Sequence, residues 1–146
     1  MSEYPQAPPF APEEIDSFLG RSLIAKLGTI SEDGSVHIAP LWFRYRDGEL
    51  LFGTQEITRK IRNIHRNNQV TVLIDTTEPA LQAVMIYGTA ELDYDDVTAK
   101  RIFIFEHYMP PEMARQFALS LASRYEQVVI RVKPERIVSF DYSKGF

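Results

Sequence analysis

Apolar and polar positions along this chain fall mostly into short runs separated by turn residues. Only a few segments repeat with a helical period. Leu23 to Ile30 reads as a strand, closed by Ser31-Glu32-Asp33-Gly34, a turn with Asp-Gly at its core. Val36 to Tyr45 reads as a second strand, with Val36, Ile38 and Leu41–Phe43 as its apolar residues. Pro40 cannot donate to a sheet ladder, so it is expected at an edge or a bulge. After the Arg46-Asp47-Gly48 turn, Leu50-Leu51-Phe52-Gly53-Thr54 forms a third strand. Val70 to Asp75 is a fourth, nearly all β-branched or apolar. A fifth runs from about Leu81 to Leu92. Gln127 to Val132 is a sixth, ended by Pro134, and Arg136 to Tyr142 a short seventh.

Helical signals punctuate these strands. Pro12-Glu13-Glu14 has Pro at a first helical position and acids in the first turn, with Ile15, Phe18 and Leu19 as the apolar face and Gly20 as the stop. Ile57, Ile61 and Ile64 are spaced to make one buried stripe on a helix that ends at Asn67-Asn68. Arg59, Lys60, Arg62 and Arg66 fall largely off that stripe. Asp93, Asp95 and Asp96 mark another helix start. Val97, Ile102, Phe103, Phe105 and Tyr108 supply its apolar surface. Met109-Pro110-Pro111 breaks it, and a further helix covers Glu112 to Ala122. No strand–helix–strand alternation is sustained, which argues against a doubly wound parallel sheet. A mainly β fold, an antiparallel barrel with helices at its rims, is the natural closure.

The chain has 146 residues, 45% hydrophobic and 25% charged, enough to bury a core without a disulfide or metal staple. Residues 1–11 are rich in Pro and aperiodic and are expected to form an extended arm, with 12–146 as one domain. The chain lacks Cys, which excludes thiol nucleophiles, thiolate metal sites and disulfides. Met1-Ser2-Glu3-Tyr4-Pro5 has neither a basic start nor an apolar run, so no secretory leader is expected and a cytoplasmic setting is. No stretch is apolar for long enough to span a bilayer.

Net charge is −4, against non-specific nucleic-acid binding as the main role. Yet Ile57 to Ile74 contains no Asp or Glu, while four cations lie between Arg59 and Arg66. Two readings fit: a solvated helix face, or a local anion site. The second has a physical basis. Unpaired N–H groups at a helix N-terminus point outward, the helix dipole favours an anion, and Thr54, Thr58, Arg59 and Lys60 add hydroxyls and charge. A phosphomonoester suits such a site.

Several motifs resemble the pyridoxamine 5′-phosphate oxidase-like split-barrel superfamily. They are Leu27-Gly28-Thr29-Ile30 with Asp33 to His37, Pro40-Leu41-Trp42-Phe43, Thr58 to Ile64 with Arg66 to Asp75, and Val84 to Leu92 with its Gly88-Thr89-Ala90 pattern. The resemblance implies a split β-barrel of the FMN-binding type. It implies a homodimer with the cofactor at the subunit interface, and two-electron transfer to or from a small-molecule substrate. The cofactor would be FMN or its deazaflavin relative, coenzyme F-420. Carried onto this chain, the phosphate residues are Thr54, Thr58, Arg59 and Lys60. Ala39, Pro40, Leu41 and Trp42 would lie nearest the flavin ring. The basic residues that hold pyridoxal phosphate as substrate in the true oxidases are not evident, so the match is closer to the short flavin or deazaflavin branch.

Alternatives remain open at this level. Trp42 is either a ring wall or an ordinary core aromatic. Arg62 and Arg66 could meet a longer anionic tail or face water, and Arg66 is expected to face water. Phe103, Phe105, Tyr108, Met109, Met113 and Phe117 are core, a pocket wall or a dimer contact. No side chain stands out as a general acid or base, since a flavin carries its own hydride chemistry. His37, His65 and His107 are too far apart in sequence to suggest a metal site. A flavin carrier without turnover and a haem-handling relative are the competing functional classes.

Overall fold

The structure, a computed structural model, describes residues 7–145. The first six residues of the expected arm lie outside that range. Helix α1 is Pro12–Leu19, followed by strands β1 (Ala25–Ile30), β2 (Val36–Leu41), β3 (Arg44–Arg46) and β4 (Glu49–Gln55). Helix α2 is Arg59–Arg66, followed by β5 (Gln69–Thr76) and β6 (Gln82–Asp93). Then come α3 (Val97–Phe105), α4 (Pro111–Ala122), β7 (Gln127–Asp141) and a short 3-10 turn at Tyr142–Lys144.

All seven strands form one antiparallel sheet in the order β2-β1-β5-β6-β7-β4-β3. Its two edge strands, β2 and β3, are consecutive in the chain and joined only by Trp42 and Phe43. The sheet therefore curls into a barrel that is split where its edges meet. The strand expected over Val36–Tyr45 with an interruption at Pro40 instead runs through Pro40 and breaks at Trp42-Phe43, because one end pairs with β1 and the other with β4. Pro40 sits in the edge strand, as its missing donor demands, opposite Lys26.

The core fills the curl. Leu27, Phe52, Val72, Ile86 and Ile130 point inward from five strands, and all are fully buried. Phe18 and Leu19 of α1 and Ile61 and Ile64 of α2 join the same cluster. Helix α3 lies outside the barrel, where Ile104 packs on Leu51 and Val129. Between α3 and α4, Phe105, Ala114 and Ala118 form a second small core. Residues 7–10 lie along β7. Ala7 and Phe10 are buried, the Asp141 N–H donates to the Pro8 carbonyl, and the Phe10 N–H donates to Ser139 Oγ. Among the described residues, no helix is long and apolar enough to cross a membrane.

Two sequence expectations fail here for clear reasons. Pro134 does not end a strand, because β7 runs on as 15 residues. The ladder shifts register opposite Tyr87 and Gly88, leaving Glu135 as the extra residue of a bulge that accommodates the proline. Gly88 permits this, since a Cβ there would run into the Lys133 carbonyl. Ile57 is not on the buried stripe of α2 but 74% exposed. The helix begins at Arg59, so Ile57 lies in the preceding turn and out of phase.

Candidate functional site

Helix α2 is seated by a polar contact as well as by its two isoleucines. Buried Asn63 donates from Nδ2 to Thr29 Oγ1 on β1 at 3.0 Å. Arg66 is exposed, as expected, and also donates to the Ile30 carbonyl at 2.8 Å and to Asn63 Oδ1 at 3.2 Å, which ties it to the end of β1. Arg62 donates to the Ile57 carbonyl at 2.9 Å and steadies the turn before the helix.

The opening of α2 is different. Thr58 stands at the N-cap in extended conformation, and its hydroxyl donates back to the Gln55 carbonyl at 2.9 Å without capping a helical N–H. The N–H groups of Arg59 and Lys60 have no acceptor within the helix. Lys60 does not lie off the buried stripe as the charge pattern suggested. It stands four residues before Ile64 and is itself only 9% exposed. It makes no ion pair or hydrogen bond among the described residues, and burial alone lowers its pKa. Arg59 is exposed and lines a polar cavity of about 360 Å³ with Arg62, Arg66 and the β1–β2 turn. Thr54 shares the inward face of β4 with Leu50 and Phe52 and is buried opposite Val128. A largely buried lysine without a partner among the described residues, beside helical N–H groups that lack an acceptor within the helix, fits a phosphate, since both are donors without acceptors.

A second cavity, of about 460 Å³, opens at the split of the barrel. Pro40, Leu41 and Trp42 line it from the end of β2, with Gly53 of β4 and Ile104 and Phe105 of α3. Trp42 is neither buried nor free. It is 36% exposed, stacks on Tyr108 at 5.2 Å and meets Phe105 edge-on at 5.6 Å. The structure thus brings Pro40, Leu41 and Trp42 together in one cavity and places Arg59 in another. Thr54, Thr58, Lys60 and Ala39 line neither; Ala39 is half-buried on β2 opposite Leu27.

The residue that sequence reasoning missed is Arg101. It lines the Trp42 cavity, is only 8% exposed, and its Nε has no hydrogen-bond partner among the described residues. Burial pulls its guanidinium down to about 10, which leaves it charged at neutral pH. A signal was available. Val97, Arg101, Ile104, Phe105 and Tyr108 have the spacing of one helix face, so a cation sits in phase with an apolar stripe. The helix starts where the Asp cluster placed it, though no Asp side chain caps it. Asp96 takes the N-cap position with a φ of 48° and no side-chain cap, while Asp93 accepts from the Asp95 N–H and from Lys100.

A seven-stranded antiparallel sheet, curled until its edges meet and carrying helices on its rims, defines a split β-barrel. The chain matches the pyridoxamine 5′-phosphate oxidase family over residues 11–140 and belongs to that family. No curated protein matches it. Among solved structures it is similar to the conserved hypothetical protein Rv2991 from Mycobacterium tuberculosis. Identity is 24% with a TM-score of 0.82, over 99% of this chain and 92% of the other. It is also similar to an F-420 reductase, at 23% identity and a TM-score of 0.70, over 87% of this chain and 98% of the other. A third likeness is to HutZ, a haem storage protein from Vibrio cholerae, at 18% identity and a TM-score of 0.68, over 88% and 94% of the two chains. At these identities the likenesses carry the fold alone.

Proposed function

We propose that this protein binds a phosphorylated flavin, FMN or alternatively the deazaflavin coenzyme F-420, and serves as an oxidoreductase for a small molecule. The observation that carries the reading is Lys60, a largely buried lysine with no anionic partner among the described residues, at the opening of a helix whose first N–H groups have no acceptor within the helix. Lys60 and the N–H groups of Arg59 and Lys60 would hold the phosphate, and the exposed Arg59 side chain would close over it. Thr58 would contribute by rotating its hydroxyl away from the Gln55 carbonyl. Thr54 would contribute from the last turn of β4. Pro40, Leu41 and Trp42 would flank the ring, with Ala39 behind them on β2. When bound, the flavin supplies the two-electron chemistry. The chain's part is to position it and keep water from its face.

The barrel's edge strand bears on how such a site is completed. Val36 and Ile38 are 63% and 64% exposed on the same face of β2 as Pro40. Adjacent exposed β-branched residues on a sheet edge favour a partner. A second copy of the chain packed on β2 would cover them and enclose the ring against Pro40. The same fold serves an F-420 reductase and a haem storage protein, so an enzyme and a carrier without turnover are both compatible with it.

Titration of the purified protein with FMN and, separately, with coenzyme F-420 tests the cofactor. Replacing both Arg59 and Lys60 with Ala should weaken binding severely while the protein stays folded, because charge-assisted contacts contribute roughly 1.5–3 kcal/mol each. Unchanged affinity in the folded double variant would overturn the phosphate assignment. Reduction of the bound cofactor by NAD(P)H, followed by reoxidation with an acceptor, separates enzyme from carrier.

A further inference from the structure

We propose that the cavity at the split of the barrel is a subsite for a monoanionic, carboxylate-bearing ligand with a flat apolar body, and that Arg101 pairs with the carboxylate. Arg101 is more than nine-tenths buried, yet among the described residues it has no acidic partner and its Nε makes no hydrogen bond. Its side chain passes over the Phe105 ring, with the guanidinium carbon 5.0 Å from the ring centroid. Such a contact offsets only part of what burying an unpaired ion costs. An arginine kept in that state is explained by an anion that arrives from outside.

The chain makes room for it. Gly53 lies beneath Arg101, and a Cβ there would come within 2.7 Å of Nε and 3.1 Å of the Cγ and Cδ atoms. A Cβ at position 53 would therefore force the Arg101 side chain to shift. The remaining walls, Ile24, Leu41, Trp42, Ile104, Phe105 and Phe117, carry no charge and suit an apolar or aromatic body. The volume of about 460 Å³ is in the range of small-molecule sites. Charge balance selects the head group. Arg101 is the one cation in the lining, and its planar fork matches a carboxylate in two parallel hydrogen bonds. A phosphate dianion would leave one charge uncompensated in an apolar site. That this ligand is the substrate rests on the flavin reading; that the cavity binds it does not.

Trp42 is the chain's single tryptophan and lines the same cavity, so its emission reports occupancy without any cofactor. The full chain is titrated with trans-cinnamate, cinnamyl alcohol and phenyl phosphate, followed by Trp42 emission and by calorimetry. Cinnamate should bind roughly ten- to a hundredfold more tightly than the alcohol, the worth of one charge-assisted contact, and more tightly than the phosphate. Arg101→Met should abolish the preference for the acid, Arg101→Lys should keep part of it, and Gly53→Ala should weaken it. FMN affinity, read from flavin fluorescence in the same variants, should change by no more than about twofold. Equal binding of acid and alcohol by the native chain overturns the proposal and needs no variant to do so. Tighter binding of the phosphate overturns the choice of head group. Loss of FMN affinity in Arg101→Met with the cinnamate preference intact would assign Arg101 to the cofactor. Failure of FMN to bind while the acid preference holds would overturn the flavin reading and leave the subsite standing.

Discussion

Tyr108 and Trp42 stack with ring centroids 5.2 Å apart and planes 19° apart, and the Tyr108 hydroxyl spans the opening of the barrel. It donates to the Leu23 carbonyl at 2.6 Å, just before β1, and accepts from the Phe43 N–H at 3.0 Å, just after β2. Burial pushes its pKa up to about 12, so the proton needed for the first bond is held. The helical insertion is thereby fastened to the two chain segments that flank the cavity.

Tyr108→Phe should keep the stack and lose both bonds. It would leave the Phe43 N–H without its acceptor, at a cost of about 1–3 kcal/mol. Urea unfolding reads the cost, and a red shift of Trp42 emission reads the loosened wall. Native stability with unaltered emission would mean that the hydroxyl does not hold the cavity's edge.

Gly88→Ala tests the bulge that lets β7 carry Pro134. The new methyl would meet backbone, the Lys133 carbonyl, which cannot swing aside as a side chain can. We expect a loss of about 1–3 kcal/mol in urea unfolding, the usual range for overpacking. A neutral result would show that the strand pair can open there without penalty.

These two sites show what the sequence conveyed and what it hid. Turn chemistry at Asp33-Gly34, the break at Met109-Pro110-Pro111 and the edge position of Pro40 were all legible, because each rests on local backbone rules. Pro134 misled because its bulge depends on Gly88, 46 positions away in the sequence and adjacent only across the sheet. The break at Trp42-Phe43 was hidden because the run Leu41–Phe43 is apolar throughout and carries no turn residue; only pairing to two different strands splits it. In the candidate site, the basic opening of α2 stood out from charge alone. Arg101 did not, because a cation is read as solvent-facing by default and its burial comes from Gly53 and Phe105 in the folded state.

Asp141 should make stability depend on acid. Burial acts to raise its pKa, but hydrogen bonds from the Ser143 hydroxyl and N–H and from Gln82, together with Lys144, outweigh that and hold it below the ordinary 3.8. A carboxylate depressed in the folded state contributes stability that is fully present above its unfolded pKa. That contribution is lost as pH falls through the lower folded value. Asp141→Asn should therefore lose about 1–3 kcal/mol at neutral pH and show a shallower decline below pH 3.8 than the native chain. Parallel acid limbs in thermal melts of the two proteins would assign the acid sensitivity elsewhere.

Lys60 sets stability against binding. Its side chain is largely buried with no anion among the described residues, and that burial lowers its pKa, so the folded apo protein carries a partly desolvated, unfavourable charge. The sign follows from the lowered pKa. Apo stability should rise as pH passes upward through the folded value of Lys60, because losing the proton relieves the burial. Phosphate affinity should fall over the same interval, because the same proton holds the anion. Lys60→Met removes the charge and keeps most of the stem. It should stabilise the apo protein by roughly 0.5–2 kcal/mol, as substitutions that relieve functional strain do, and weaken FMN binding by about 1.5–3 kcal/mol. Thermal melts without cofactor and a fluorescence titration with FMN read the two effects independently. Opposite changes identify a cation kept for its ligand. A destabilised variant with full FMN affinity would instead make Lys60 a structural residue and remove the ground for a phosphate at the opening of α2.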